Sequence, residues 1–408
     1  MINLIYKEYP FGSAEAFAEY EVHAFQNINS GRTRAYSLYE GNKEDRRYMP
    51  DNVPVTRIYH GVSFGTRLRA LVRMLSREAL SEIALVLKKR PPEGVVRCIY
   101  RIHRYLYAAE SFCAAVDAVD EKQVFACYWL NECAYAALAF KRKHPGVTVT
   151  ARGHGFDVFE ERNYMPFRKQ VLGELDKIFI INSVGRDYLH KTYPWLDMRK
   201  VQIEHLGVTV PDMVRKTEKK KPLHVVSCSS VIPLKRLDLL IDALAMVNGA
   251  VRWTHFGGGP LESEMKAKAE TAFAGRNIQA EFKGQVKLQE VHDFYASEDV
   301  HLFVNCSDTE GTPVSIMEAM SYGIPCIARD VGGNREVVDN DCGILLPTRA
   351  DAHVLATAIE RIAEMANDDY RTLRICAREK IEKEFNDAVN YTAYARQIAE
   401  ISEDDRSN

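Results

Sequence analysis

The 408-residue sequence contains no Cys-x-x-Cys pair, no low-complexity tract and no short-period repeat. No apolar stretch reaches the ~18 residues of a spanning helix. Nine cysteines, odd in number and scattered from Cys98 to Cys376, fit neither a disulfide framework nor a zinc site and point to a reducing cytoplasm. The opening residues lack the basic and apolar regions of a signal peptide, so membrane contact is expected to be peripheral. Net charge is also scarce. With 54 Lys+Arg against 56 Asp+Glu the balance is −2, which speaks against nucleic acid as a partner. What remains is an ordinary globular mixture, 46% hydrophobic and 27% charged, in a chain long enough for two or three domains at ~150 residues each.

The charge is unevenly placed. There are 30 basic and 23 acidic residues up to Lys200, then 24 and 33 from Val201 onward. Arg57 to Arg104 concentrates eleven basic residues against Glu78, Glu82 and Glu93, interleaved with Leu68, Leu71, Val72, Leu75 and Leu80. The pattern reads as a basic amphipathic helix, either the solvated face of a packed helix or a docking face for anionic lipid.

Short β-rich runs at 3–6, 35–39, 124–128, 147–151 and 177–181 alternate with amphipathic stretches, as in parallel α/β layers. The rhythm breaks over 207–221, which holds Gly207, Pro211 and the charged run from Arg215 to Lys221, and is expected to be a linker. Strand candidates resume at 223–228, 251–255, 278–283, 300–305, 325–328 and 344–346, with helices at 236–247 and 350–365 between them. Helical patterns at 369–384 and 389–401 close the chain. The expected fold class is α/β, with Rossmann-like doubly wound units at 1–206 and 222–385, a linker at 207–221 and a C-terminal helix at 386–408 crossing back to the first unit. Ligand crevices are expected at the carboxyl ends of the strands, facing each other across a deep cleft.

The stretch from Val300 to Gly323 reads as a strand, a polar loop and a helix opened by Pro313 and closed by Gly323. Free N–H groups and a positive dipole end at such a helix start suit a phosphate. Glu318 sits mid-helix among Val314, Ile316, Met317, Ala319 and Met320, so its carboxylate is expected to be buried and in need of partners. Those partners are either a core arginine or a vicinal diol, which offers two parallel hydrogen bonds. Glu310 falls in the loop at the helix mouth, solvated or gripping another part of the same ligand.

The string Glu310-Gly-Thr-Pro-Val-Ser-Ile-Met-Glu318, continuing to Pro325 and through Ala328 to Val338, strongly resembles the Glu-x7-Glu signature of the family 4 glycosyltransferases, retaining enzymes of the GT-B fold. The resemblance implies that Glu318 holds the ribose hydroxyls of a nucleotide-sugar donor and Glu310 contacts the transferred sugar. The backbone of Gly311, Thr312, Pro313 and Val314 then meets donor sugar and diphosphate. Val226 to Leu244 resembles the family's phosphate loop, with Lys235 as the diphosphate lysine. Ser230 stands where many members carry an arginine, and Arg236 is the candidate substitute. Without the resemblance, Lys235 and Arg236 read as an exposed basic helix start.

Phe256 to Leu261, with Gly257, looks like the family's glycine turn near the nucleotide, or simple connection geometry. Gly284 and Val286 correspond to the segment that reads the base. In the first half, Thr150 to Asp157 resembles the family's His-Gly-x-Asp-like loop. His154 is then placed near the reacting sugar; the plain alternative is a bond to a loop carbonyl. Tyr9 to Glu21 resembles the first loop and helix, with Gly12 near donor phosphates and Glu15 on the acceptor side or serving the helix dipole.

These implications add up to retaining, metal-independent transfer from a UDP- or GDP-sugar to a glycan or polyprenyl-linked acceptor in cell-surface polysaccharide or glycolipid biosynthesis. The first unit is the acceptor-binding one and the second binds donor. No cofactor is expected, the nucleotide sugar being a substrate, and no metal, because Lys235 and the helix terminus supply positive charge. The expected location is cytoplasmic, peripheral on the inner face of the plasma membrane through Arg57 to Arg104. An epimerase on nucleotide sugars, a hydrolase and a catalytically silent partner subunit are the competing expectations.

Overall fold

Runs rich in Val, Ile, Phe and Ala form two all-parallel sheets, because strands covered on both faces need no polar alternation. The structure, a computed structural model, describes residues 1–12, 15, 17–28, 31–39, 47–59, 62–117, 122–214 and 218–404. Ser13, Ala14 and Ala16 of the first-loop string, His60 and Gly61 of the basic segment, and Arg215 to Thr217 of the charged run lie outside the described residues. Contacts divide the chain into two units, Met1–His205 with Ala388–Asn408, and Leu206–Asp387.

The first unit holds strands β1 (Ile2–Tyr6), β2 (Thr33–Ser37), β3 (Val55–Arg57), β4 (Val124–Cys127), β5 (Thr148–Gly153), β6 (Lys177–Ile180) and β7 (Val201–Ile203), in the order β3-β2-β1-β4-β5-β6-β7. Its helices are α1 (Ala18–Ile28), α2 (Phe64–Arg73), α3 (Arg77–Lys89), α4 (Val95–Ala115), α5 (Glu132–Lys141), α6 (Gly155–Val158), α7 (Arg168–Glu174) and α8 (Ser183–Thr192). Chain order reverses between β1 and β4, the switch point at which doubly wound sheets open a crevice. Helix α5 carries no polar face because nine of its ten residues are buried.

The basic segment is three helices rather than one. Ser63 and Ser76 accept from the backbone N–H groups of Thr66 and Ala79, each at 3.2 Å, and so start α2 and α3 as separate N-capped elements. No helix among the described residues is long and apolar enough to cross a membrane.

The second unit holds β8 (Leu223–Cys228), β9 (Val251–Phe256), β10 (Ile278–Gly284), β11 (Leu302–Asn305), β12 (Cys326–Arg329) and β13 (Gly343–Leu346), in the order β10-β9-β8-β11-β12-β13. Its helices are α9 (Leu237–Met246), α10 (Glu262–Phe273), α11 (Leu288–Ser297), α12 (Val314–Ser321), α13 (Asn334–Val337), α14 (Ala352–Glu364) and α15 (Asn367–Glu384). Here the switch point lies between β8 and β11.

The last helix, α16 (Asp387–Asp404), belongs from Ala388 onward to the first unit, where Tyr394 meets Phe25 and Phe179 edge-on at 5.7 and 5.0 Å. Start and end of the second unit run side by side: Val208 bridges to Asn386, and a Cβ at Gly207 would stand 2.4 Å from the Asp387 Cα. Arg378 Nη2 donates to the Pro211 carbonyl at 2.6 Å. By these contacts the described part of 207–214 packs onto the second unit.

Candidate active site

In the second unit the residues singled out by sequence gather at the switch point. Strand β8 ends at Cys228 and leads through Ser229 and Ser230 to a 3-10 turn at Pro233–Lys235. The chain then enters α9 through Arg236, held in the left-handed region at φ 50°. Opposite, β11 ends at Asn305 and the polar loop runs to α12. The Asp308 N–H donates to the Leu234 carbonyl at 2.9 Å, which ties the two loops together.

Lys235 Nζ lies 2.6 Å from Glu310 Oε1, and Asn305 Nδ2 donates to the same oxygen at 3.1 Å. Arg236 is committed elsewhere. Its guanidinium bonds Asp238 at 3.1 Å and Asp308 at 3.4 Å, and Ser230, at the position where Arg236 was the expected substitute, is exposed. The Glu310–Gly311 backbone is packed hard from behind: a Cβ on Gly332, at φ 53°, would stand 2.0 Å from the Glu310 carbonyl oxygen, and Gly333 N–H donates to the Gly311 carbonyl.

Helix α12 begins at Val314 with Pro313 as its cap residue, not as its first helical residue, and is followed by Gly323 at φ 66°. The Pro313 carbonyl accepts from Ile316 and Met317, while the Thr312 carbonyl accepts from Val314 at 3.0 Å. One turn in, Glu318 is 6% exposed, and its carboxylate accepts no hydrogen bond from the described residues. Burial pushes its pKa up to about 8. Its position is marked by Cys228 at the end of β8, whose thiol is pushed up to about 12 by burial and then by Glu318. Among the described residues no arginine pairs with it.

The glycine turn after β9 is there for close approach. A Cβ on Gly257, at φ 120°, would meet the Ser229 carbonyl oxygen at 2.0 Å, and one on Gly259 would meet that of Val231 at 2.5 Å. Gly257 N–H donates to the Gly284 carbonyl at 2.8 Å, Gly284 itself being at φ 67°. Val286 is half-buried in the turn that follows β10.

In the first unit, β5 delivers His154 to the start of α6. The ring is stacked on Tyr128 at 4.8 Å and tilted against Trp129 at 4.7 Å. Neither ring nitrogen has a hydrogen-bond partner among the described residues, so the alternative of a bond to a loop carbonyl is not what the described structure has. Burial and then the charge of Arg152 lower its pKa to about 3, so the imidazole is neutral. Asp157 fixes the turn by accepting from the backbone of His154 and Leu130, each at 2.6 Å.

Glu15, expected on the acceptor side or in the first turn of a helix, is not part of a helix. It precedes α1, is 1% exposed, and accepts from the N–H groups of Lys7, Glu8 and Tyr9 and from Trp129 Nε1 at 2.6 to 2.8 Å. It staples the loop after β1, which carries Gly12, to the indole that packs on His154. At Gly12 a Cβ would clash with the Glu8 side chain at 2.5 Å. Beneath lies a buried ion pair, Arg152 Nη1 to Glu21 Oε2 at 2.7 Å, with the guanidinium 3.8 Å over the Tyr394 ring of α16.

Residues 211–380 match the family model described as glycosyl transferases group 1. The chain is a glycosyltransferase. Over 339 residues it is 26% identical to the amylovoran biosynthesis glycosyltransferase AmsK of Erwinia amylovora, covering 79% of this chain and 81% of the relative. Over 251 residues it is 27% identical to the putative colanic acid biosynthesis glycosyltransferase WcaL of Escherichia coli, covering 58% and 60%. Among solved structures it resembles the lipopolysaccharide outer core galactosyltransferase WaaB, at TM-score 0.69 and 15% identity over 98% of both chains. It also resembles Anabaena HepE in complex with UDP and glucose, at TM-score 0.64 and 13% identity over 98% and 99%. The GT-B fold expected from the Glu-x7-Glu string is therefore the fold this glycosyltransferase has.

The structure brings Lys235, Glu310 and Glu318 to the β8–β11 switch point, together with Asn305, which the sequence did not single out, nor did it single out Tyr128 and Trp129 beside His154. Asn305 and Trp129 each end or follow a strand at a switch point, the one signal that pointed to them.

Proposed function

We propose that this glycosyltransferase moves a sugar, with retention of anomeric configuration, from a UDP- or GDP-sugar to a glycan or polyprenyl-linked acceptor of a cell-surface polysaccharide or glycolipid. The observation that carries the proposal is Glu318, a buried carboxylate with no partner among the described residues, one turn inside the helix whose N-terminus opens at the β8–β11 switch point. A ribose diol supplies the two donors that such a group lacks and favours its ionised form. Names of relatives in amylovoran and colanic acid biosynthesis support the polysaccharide assignment, and the UDP bound by HepE supports the donor class.

In this reading Lys235 and the N-terminal end of α12 draw the charge that develops on the departing diphosphate, which lowers the barrier without a metal ion. Glu310, already polarised by Lys235 and Asn305, contacts hydroxyls of the transferred sugar. His154 stays neutral, so one ring nitrogen donates to a hydroxyl of the reacting sugar and the other accepts. Retention follows a same-face path in which the leaving phosphate oxygen takes the acceptor proton. The proposed location is the inner face of the plasma membrane. Ten large apolar residues between Phe64 and Tyr100, half of those exposed among the described residues, stand beside the basic residues of α2, α3 and α4 and suit anionic lipid.

The test is incubation with a panel of UDP- and GDP-sugars and membrane extract, following nucleoside diphosphate release and the anomeric proton of the product by NMR. Diphosphate release from one donor with retained configuration is expected. Inversion contradicts the retaining path, and release from no donor contradicts the proposal.

A further inference from the structure

Away from the loops described above, the first unit has a cavity of about 440 Å³ with saccharide-binding chemistry. Its walls include Glu82 of α3, Glu160, Tyr164, Gln170 of α7, Tyr193 and Trp195. Trp195 is 47% exposed, unusual for so large a ring, and among the described residues its aromatic neighbour is Tyr193, which meets it edge-on at 5.8 Å, so an indole face is open. Gly173 lies below the ring, where even an added Cβ would stay 3.9 Å away. Two tyrosines are locked in place by carboxylates: Tyr164 donates to Glu82 at 2.5 Å and Tyr193 to Glu160 at 2.6 Å, and Arg168 Nε donates to the Tyr193 hydroxyl at 3.3 Å. Each carboxylate keeps lone pairs for further hydroxyl donors, and the Gln170 amide both donates and accepts.

We propose that this cavity is a second saccharide site, which holds the neutral part of a glycan chain some distance from the sugar being modified. A pyranose offers an apolar C–H face for Trp195 and hydroxyls for the surrounding carboxylates and amide. The lining sets Glu82, Glu93 and Glu160 against Lys89, Arg168 and Lys169, so its charge is balanced and suits a neutral ligand, and the charged groups disfavour a lipid tail. The cavity also has a structural link to His154. Its Arg168 donates to the carbonyls of Asp157 and Val158, at 2.9 and 3.0 Å, directly after the His154 turn, and Trp195 lies near Gly173 about 8 Å further along α7. A chain lying along α7 would thus extend away from the His154 loop. The proposal rests on the reading that the acceptor is a glycan.

Saturation-transfer NMR tests it, with neutral oligosaccharides released from the producing cell's own surface polysaccharide, and with maltotetraose and chitotetraose as further probes. Wild type, Trp195→Phe and Trp195→Ala are compared, and thermal shifts with UDP and GDP are recorded on the same preparations. Expected are signals with wild type and Trp195→Phe that fall at least ten-fold with Trp195→Ala, while nucleotide shifts stay equal in all three. Equal signals in wild type and Trp195→Ala, or no signal from any probe with wild type, overturn the site. Saccharide signals that depend on Trp195 without any nucleotide shift sustain the site and count against the donor reading alone.

Discussion

Lys235 Nζ and Glu310 Oε1 are 2.6 Å apart, so the cation assigned to the diphosphate and the carboxylate assigned to the transferred sugar are joined across 75 residues of sequence. Both are mostly buried, with side-chain exposures of 21% and 11%, which makes the pair stronger than a surface bridge. In the proposed reading the diphosphate is a second anion for Lys235, while Asn305 Nδ2 still donates to Glu310. Lys235→Ala is expected to weaken UDP or GDP binding and to lower turnover about 100-fold, roughly 3 kcal/mol of transition-state stabilisation. Glu310→Gln is expected to keep nucleotide affinity within about three-fold while turnover falls about 100-fold, a split read by calorimetry beside steady-state kinetics.

The buried Glu318 makes stability depend on pH with a defined sign. Its carboxyl is raised to about 8, so the folded chain keeps a proton that the unfolded chain releases above the ordinary carboxylate range. Stability therefore falls as pH rises from about 4.5 to 8. Glu318→Gln removes that loss. Its melting temperature relative to wild type is expected to climb by about 2 °C or more between pH 5 and pH 8.5 in ligand-free protein. A constant difference across that range contradicts the burial of an uncompensated charge.

His154 gives the opposite case. Held near 3 by burial and Arg152, it stays neutral in the folded chain, while the unfolded chain takes up a proton below about 6.5. Its contribution to stability is thus lost as pH falls from about 6.5 toward 3. In catalysis, His154→Gln is expected to lower the rate while leaving the shape of the pH–rate profile between pH 5.5 and 8 unchanged. An inflection near pH 6.5 that vanishes in the variant contradicts a neutral imidazole.

Much of this was legible in residue order, because local rules and tertiary demands agreed there. Strands β8 and β10, made of β-branched and aromatic runs bounded by Gly and Pro, lie within one residue of their expected positions. Glu318 was expected to be buried because apolar residues surround it on its helix, and it is. Strands β3 and β7 escaped, since three residues cannot show a period and edge pairing alone makes them strands. The basic segment was read as one helix although Ser63, Ser76 and the Pro91–Pro92 break marked its divisions. Trp129 was out of reach for a different reason. Only the register Cys127 to Ala151 brings it to His154, and registers between parallel strands are not written in either strand.

Glu15 is expected to matter through the loop it holds. Glu15→Ala leaves four N–H donors without their acceptor, and at 1–3 kcal/mol for each group that stays buried the loss is expected to exceed about 3 kcal/mol. Thermal unfolding measures it. Trp129→Phe, which keeps the ring against His154 but drops one of those bonds, is expected to cost about 1–2 kcal/mol in the same experiment.

The exposed apolar residues of α2 and α3 predict vesicle binding. Co-sedimentation with phosphatidylcholine vesicles containing phosphatidylglycerol is expected at low salt, weakening as salt rises. Replacing Phe64, Leu71 and Leu75 with serine, all at least half exposed, is expected to abolish sedimentation without lowering the melting temperature. Sedimentation unchanged by the triple substitution contradicts this surface as the contact.

Calorimetric titration of UDP and GDP into wild type and Glu318→Ala tests the central assignment most directly. If the partnerless carboxylate clasps the ribose, one nucleotide binds wild type and the variant binds it at least about ten-fold more weakly, a loss near 1.4 kcal/mol. Wild-type affinity in Glu318→Ala contradicts the account.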